Sequence, residues 1–359
     1  MHKLYFISDI RKSNSSCQFF NGKKKYIATA DVQNSKIVNF ELVDFNNKPS
    51  RANLISEKGS VLFAKMQNTI KVLEINDDNC NNIYSTGFYS FKDERILPRY
   101  LRYFFESKLF NSIKDKNCQG ATMKAINDDA MEKISINVPS INCQQIIIDK
   151  LFHINDLIKK NNFILERLDN IVKSQFIEMF GNRLINLNKK MSSIATPIIG
   201  LTYKPANVTK DGKIVLRSGN IQNNELQLEE DIVRVSNIKI PEQKLIRDKD
   251  ILMCSRNGSA RLVGKSCLIR HPEEKMSFGA FMTVVRTKYP YFLQAFFASD
   301  YFKSQLTGVG TSSVNQITSG MLNNYDAIEP TEAEEKEFES YVKLIDKSKY
   351  FGGAEYGIC

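Results

Sequence analysis

The chain has 359 residues, 42% of them hydrophobic and 25% charged, with a formal net charge of +10 at pH 7. That composition belongs to an ordinary folded protein of two or three domains and excludes a disordered chain. No run approaches the roughly 18–20 apolar residues that cross a bilayer, and Met1–Ile10 lacks a long apolar stretch, so the sequence predicts a cytoplasmic protein with no membrane partner.

Seven cysteines, an odd number with no C-x-x-C, and three scattered histidines suggest neither a disulfide framework nor a metal site. The positive charge is unevenly placed. Lys and Arg outnumber Asp and Glu by 21 to 15 in residues 1–140 and by 20 to 13 in 182–330, balance at 5 to 5 in 141–181, and fall behind at 4 to 7 in 331–359. Two basic bodies attract polyanions, nucleic acid first.

In chain order, residues 1–140 read as short strands and a few helices. Lys24–Gln33 is an apolar strand followed by a small-small-Asx-aliphatic-Gln turn, Val61–Lys65 is a buried strand, and Pro98–Phe110 is a short amphipathic helical stretch whose Phe104-Phe105 pair belongs to the core. From Ile141 to Gly181 the pattern changes. Ile147, Leu151, Ile154, Ile158, Leu165, Leu168, Val172 and Met179 recur at alternating steps of four and three, with Asn161 and Gln175 as polar interruptions. This heptad seam predicts one long helix, opened by Ser140 after Pro139 and closed by Gly181, that needs another helix along it. Asn161 on the seam would fix register or pairing state.

Residues 182–330 repeat the first body at an offset drifting between 189 and 192. Lys213–Gln222 answers Lys24–Gln33, Leu252–Arg256 answers Val61–Lys65, Pro290–Phe302 answers Pro98–Phe110, and Thr311-Ser312-Ser313 with Ile317 and Pro330 answers Gly120-Ala121-Thr122 with Ile126 and Pro139. After Pro330 a second helix starts at Thr331, with Phe338, Val342 and Ile345 standing 191 residues beyond Ile147, Leu151 and Ile154, and it should stop at Gly352-Gly353. Being shorter, it leaves much of the first seam uncovered: either Leu165 to Met179 or an equal length nearer the start. The whole is an α+β chain of two similar mixed α/β domains (1–140 and 182–330), joined and spaced by long coiled-coil helices (141–181 and 331–359) with pseudo-twofold internal duplication.

Catalytic motifs are missing. The chain has no Pro-Pro pair, which the base-holding loop of an adenine methyltransferase requires. Gly264-Lys265-Ser266 lacks the glycine five residues earlier that a phosphate loop needs, and Gly308-Val309-Gly310 does not follow a strand, so both read as loops.

The order body, long helix, body, helix, with the long helix ending Leu168-Asp169-Asn170-Ile171-Val172-Lys173-Ser174-Gln175-Phe176-Ile177-Glu178-Met179-Phe180-Gly181, resembles the DNA-specificity subunit of type I restriction–modification systems. Ala121–Ile126 and Val342–Lys349 carry the same likeness. The resemblance implies a non-catalytic subunit with two target-recognition domains, each reading half of a bipartite site in double-stranded DNA. It further implies that the helices dock two methyltransferase subunits and, through them, a motor endonuclease. No cofactor is expected on this chain; S-adenosylmethionine, ATP and magnesium would belong to the partner subunits. The ending Gly352–Cys359 departs from the family, which leaves open a helix-mediated oligomerisation scaffold or a truncated variant that does not support full assembly.

Contacts to DNA are expected from Lys23, Lys24, Lys25, Lys65, Gln67 and Asn68 in the first body and from Arg217, Asn220, Arg256, Asn257 and Arg261 in the second, with Lys65 and Arg256 paired as the ends of equivalent strands. The subunit interface is expected along the seam, at Ile147, Leu151, Ile154, Ile158, Asn161, Leu165, Leu168, Val172 and Met179.

Overall fold

The computed structural model describes residues 3–10, 12–121, 123–229, 231–306 and 315–354. Thr122, the loop Gly308–Gly310, the segment Thr311–Ser313 and the tail 355–359 lie outside the described residues. Contacts divide the chain into two compact units, Met1–Ile158 and Lys159–Cys359, both mixed α and β.

In the first unit, Lys3–Phe6 pairs antiparallel with Ser135–Val138. One sheet runs in the spatial order Asn14–Ser16, Ala52–Ser56, Ile83–Ser85, Lys24–Ile27, Glu41–Val43, and another in the order Phe88–Phe91, Val61–Ala64, Val72–Glu74. Val61–Ala64 is apolar throughout because both its faces are covered. Phe63 meets Phe91, Phe105 and Phe110 at ring-centroid distances of 5.9, 4.7 and 5.0 Å. The last two rings come from the helices Pro98–Glu106 and Lys108–Lys116, so the paired phenylalanines are core residues as their spacing predicts. Pro98 needs no N–H partner in a first turn, and Ser107 Oγ accepts the Phe110 N–H at 3.1 Å to start the next helix.

The second unit repeats these devices. Pro290 opens Pro290–Ala298, and Ser299 Oγ accepts from Phe302 N–H to start Asp300–Lys303. Tyr26 and Ile27 pair in parallel with Ile83 and Tyr84, and Val215 and Leu216 with Ser277 and Phe278. Each of these strands leads into a two-residue hairpin, closed by Gln33 with Lys36 and by Gln222 with Glu225. Both central residues are left-handed: Asn34 and Ser35 at φ 46° and 58°, Asn223 and Asn224 at 51° and 60°. That is the turn geometry which matches the twist of adjoining strands.

One matched position also differs in chemistry. Gln144 Oε1 accepts the Leu97 N–H at 2.8 Å, fastening the start of Pro98–Glu106, while its amide donates to the carbonyls of Arg95 and Pro139. In the second unit Glu335, 191 residues on, accepts the N–H groups of Tyr291 and Phe292 at 2.8 and 3.0 Å.

The strand pairing corrects one expected equivalence. Lys65 N donates to Gly87 O and Lys65 O accepts from Ile126 N, whereas Ser255 N donates to Phe281 O and Ser255 O accepts from Ile317 N. Met66 then bridges to Ala125 and Arg256 to Gln316. The counterpart of Lys65 is therefore Ser255, and that of Arg256 is Met66. A one-residue slip in a strand turns a side chain to the opposite face, so Lys65 and Arg256 do not occupy equivalent positions.

The long helix spans Ile141–Leu184, 44 residues, or about 66 Å. It runs through Gly181 instead of ending there, because Phe176, Phe180 and Leu184 are buried in the core of the second unit and their burial outweighs the roughly 1 kcal/mol that a helical glycine costs. The distal helix Glu332–Ala354 likewise passes through Gly352-Gly353. It opens with a capping box: Thr331 Oγ1 accepts the Glu334 N–H at 3.2 Å and the Glu334 carboxylate accepts the Thr331 N–H at 2.7 Å. Glu334 pairs with Arg183, Phe338 with Phe180 and Phe176, and Lys349 with Asp169, so the two helices are antiparallel. The distal helix thus covers the last part of the long helix and leaves the part nearer its start uncovered.

Candidate nucleic-acid interface

In the first unit, the turn after Val61–Ala64 is held mainly through its backbone. Lys114, itself 1% exposed at its side chain, donates from its ammonium to the carbonyls of Met66 and Thr69 at 3.2 and 2.6 Å and lies 3.5 Å from the Asp115 carboxylate. Burial holds its pKa below the usual lysine value. Asp115 accepts the N–H of Asn68, whose φ is 56°, and its carbonyl accepts the Gln67 side-chain amide at 2.8 Å. Gln67 is therefore occupied in holding the turn, while Asn68 and Ile70 stand exposed at its tip.

Lys65 is half-buried. Its ammonium lies 4.1 Å from the centroid of Tyr89, whose hydroxyl donates to Asp128 at 2.6 Å, and Lys12 pairs with the same carboxylate at 2.6 Å. Burial lowers the Lys65 pKa against the pull of Asp128, and the hydrogen bonds from Lys12 and Tyr89 lower that of Asp128. Lys23, Lys24 and Lys25 stand at the opposite end of Lys24–Ile27 from the Thr29 turn, whose Thr29 methyl approaches Gly87, the partner of Lys65. The structure therefore separates these three lysines from Lys65, Gln67 and Asn68.

The second unit draws its candidates closer together. Asn257 donates from its side-chain amide to Ser218 Oγ at 3.3 Å, joining the strand Arg256–Asn257 to the turn that follows Arg217. Arg217, Arg256 and Arg261 are exposed, the Arg256 guanidinium lying 5.3 Å from the exposed ring of Phe281. Asn220 is not available: it is 1% exposed, accepts the Arg217 N–H at 2.9 Å and donates to Gln227 O at 3.2 Å, so it shapes the turn and presents nothing to a ligand. Beside these arginines is a concavity of about 350 Å³ lined by Ser218, Gly219, Gln222, Asn223, Leu262 and Lys265. Gln222, Asn223 and Lys265 are absent from the set expected from sequence. The signal for the first two was there, in the left-handed Asn-Asn hairpin that ends the repeated motif; Lys265 comes near only through the fold.

On the long helix, Ile147, Leu151, Asn161, Leu165 and Leu168 are half-buried, and Val172 and Met179 pack against the second core. Ile154 and Ile158 are exposed, as are Phe152, Leu157, Phe163 and Ile164 off the seam. The apolar surface is wider than one heptad stripe. Among the described residues no cluster of His, Cys, Asp or Glu is placed to hold a metal ion, and no helix is long and apolar enough to cross a membrane.

Residues 7–170 match the family described as Type I restriction modification DNA specificity domain. The HindI specificity subunit of Haemophilus influenzae is 26% identical over 187 residues, which is 50% of this chain and 40% of that protein. The EcoKI specificity subunit of Escherichia coli is 28% identical over 171 residues, 44% of this chain and 36% of that protein. The matches thus span about two fifths of the length of these relatives. Two solved structures share the fold: one from a study of complex assembly and conformational transition in the type I R-M system, with a TM-score of 0.51 at 16% identity over 97% of this chain and 91% of that one. The other is the type I restriction–modification S subunit of M. genitalium, with a TM-score of 0.51 at 12% identity over 99% and 92%. Over residues 7–170 the chain is thus similar to the type I restriction–modification DNA specificity domain, and over nearly its whole length it shares the fold of solved type I specificity subunits.

Proposed function

We propose that the chain is the non-catalytic, sequence-reading subunit of a type I restriction–modification complex, each unit recognising one half of a bipartite DNA site. The observation that carries this is the duplicated body with unlike edges. The same strand ends in Lys65-Met66-Gln67-Asn68 in one unit and in Ser255-Arg256-Asn257-Gly258 in the other. A common scaffold with different side chains at a matched edge suits two different half-sites, since base choice follows from side-chain hydrogen bonds in the grooves. The basic surplus of both bodies supplies the phosphate attraction. Methyltransferase subunits, in two copies, would dock on the exposed apolar part of the long helix, with the motor endonuclease joining through them. S-adenosylmethionine, ATP and magnesium would be bound by those partners, in the cytoplasm.

Mapping methylated adenines in the source cells should return an asymmetric split site, and the purified complex should bind that site with an affinity that falls steeply with salt. A single continuous palindrome, or equal affinity for site and scrambled duplexes, would overturn the reading. The exposed Phe152, Ile158 and Phe163 favour one second reading, a helix-mediated oligomerisation scaffold, which predicts self-association and no preferred DNA.

A further inference from the structure

Three phenylalanines at one tip of the first unit lie outside its main core. Phe19 and Phe20 meet Phe45 edge to face at ring-centroid distances of 5.2 and 5.8 Å. Phe20 also packs against the small cluster of Tyr26, Val43 and Ile83 and so has a structural reason to be there. Phe19 rests on Phe45 with 66% of its surface exposed. The ammonium of Lys24 lies 5.1 Å from the Phe20 ring and that of Lys48 lies 5.6 Å from the Phe45 ring, while Lys23 is exposed alongside. The carboxylate near Lys23, Asp44, accepts from the backbone and side chain of Asn47 and from the Asn46 N–H.

The second unit lacks this tip. Lys24 pairs with Val43 as Lys213 pairs with Val235. Counting outward from those pairs puts Val208, Thr209 and Asn237 where Phe19, Phe20 and Phe45 stand. A surface for a partner that engages two similar bodies alike would recur in both. A surface that contacts one half-site would not.

We propose that Phe19 is a wedge for duplex DNA, its ring entering a base step while Lys23 and Lys24 take the flanking phosphates. This rests on the reading of the first unit as a DNA-recognition body. Apolar side chains inserted between base pairs partly unstack and kink the duplex, and a ring already held by a neighbouring ring and framed by cations is suited to that task. The wedge would also read the deformability of the step it enters, giving preference at a position without a base-edge hydrogen bond.

The chain contains no tryptophan, so Phe19→Trp gives a single tryptophan in the full-length protein, excited selectively over the tyrosines at the red edge of its absorption. The probe is a fluorescein-labelled duplex carrying the mapped methylation site, with binding followed independently by anisotropy. Saturating duplex should quench Phe19→Trp strongly and leave Leu109→Trp, on an exposed position of Lys108–Lys116, unchanged. Phe19→Ala should weaken binding on the order of tenfold without altering the salt slope. If the duplex binds but Phe19→Trp does not respond, or responds only to an added methyltransferase subunit, the wedge is wrong and the DNA-reading role stands. If the site duplex binds no better than a scrambled one, that role falls and the wedge with it.

Discussion

A carboxylate buried against a helix start, as Glu335 is against Tyr291 and Phe292, is stabilised by two N–H groups and penalised by the loss of water. Burial dominates and raises its pKa to about 7; the two N–H groups pull it down, Glu339 pushes it further up, and Lys249 lowers it. Lys343 and Tyr291 also face this corner, Lys343 paired with Glu339 at 2.7 Å and 5.9 Å from the Tyr291 ring. Because the folded-state pKa lies above the ordinary carboxyl value, protonation favours the folded state. The contribution is fully present below about pH 4.5 and is lost as pH rises through about 7, by an amount on the order of 3 kcal/mol. The first unit holds the neutral alternative, Gln144. Glu335→Gln should therefore flatten this part of the pH dependence, which urea unfolding of the second unit at pH 5 and pH 8 would measure.

Lys65 and Arg256 should now respond differently to truncation. Lys65 packs on Tyr89 in a half-buried setting, so Lys65→Ala should lower stability by about 1 kcal/mol as well as weaken DNA binding. Arg256 is exposed, and Arg256→Ala should leave the melting temperature unchanged and reduce affinity alone. Thermal melts beside duplex titrations at two salt concentrations separate the cases. The sequence located both residues at strand ends but could not give their facing, since an offset that drifts between 189 and 192 leaves register uncertain by one residue. Asn220 was misplaced for a related reason: an Asx residue in a turn looks the same in sequence whether its side chain serves the backbone or a ligand.

At the scale of elements, the long helix was legible from its heptads and its starting Pro139-Ser140, and its end was not. Gly181 signals a stop locally, yet Phe180 and Leu184 on either side are needed by a core assembled from distant segments. The antiparallel pairing with Glu332–Ala354 settles which part of the seam is covered. Phe338→Ala should cost about 3–5 kcal/mol by removing a ring packed on Phe176 and Phe180, seen as early unfolding of the second unit in thermal scans. Ile158→Asp, in the uncovered part, should leave stability unchanged and abolish capture of the methyltransferase subunit or self-association, as read by sedimentation velocity.

At the scale of the whole chain, duplication is what the sequence showed most openly, because caps, prolines and strand cores recur at nearly fixed spacing. The parts that differ between the halves were least legible: the aromatic tip, the concavity beside Gln222 and the packing of Lys65 depend on which segments the fold brings together. The turn at Met66–Thr69 belongs to this second group. Its shape is set by its carbonyls, the N–H groups of Gln67 and Asn68, the Gln67 side-chain amide and the ammonium of Lys114, so Ile70 at its edge can be exchanged without redrawing the backbone. A loop fixed in this way can acquire new side chains while keeping its path, and under the proposed DNA-reading role a change of preferred base would need little structural adjustment elsewhere in the body.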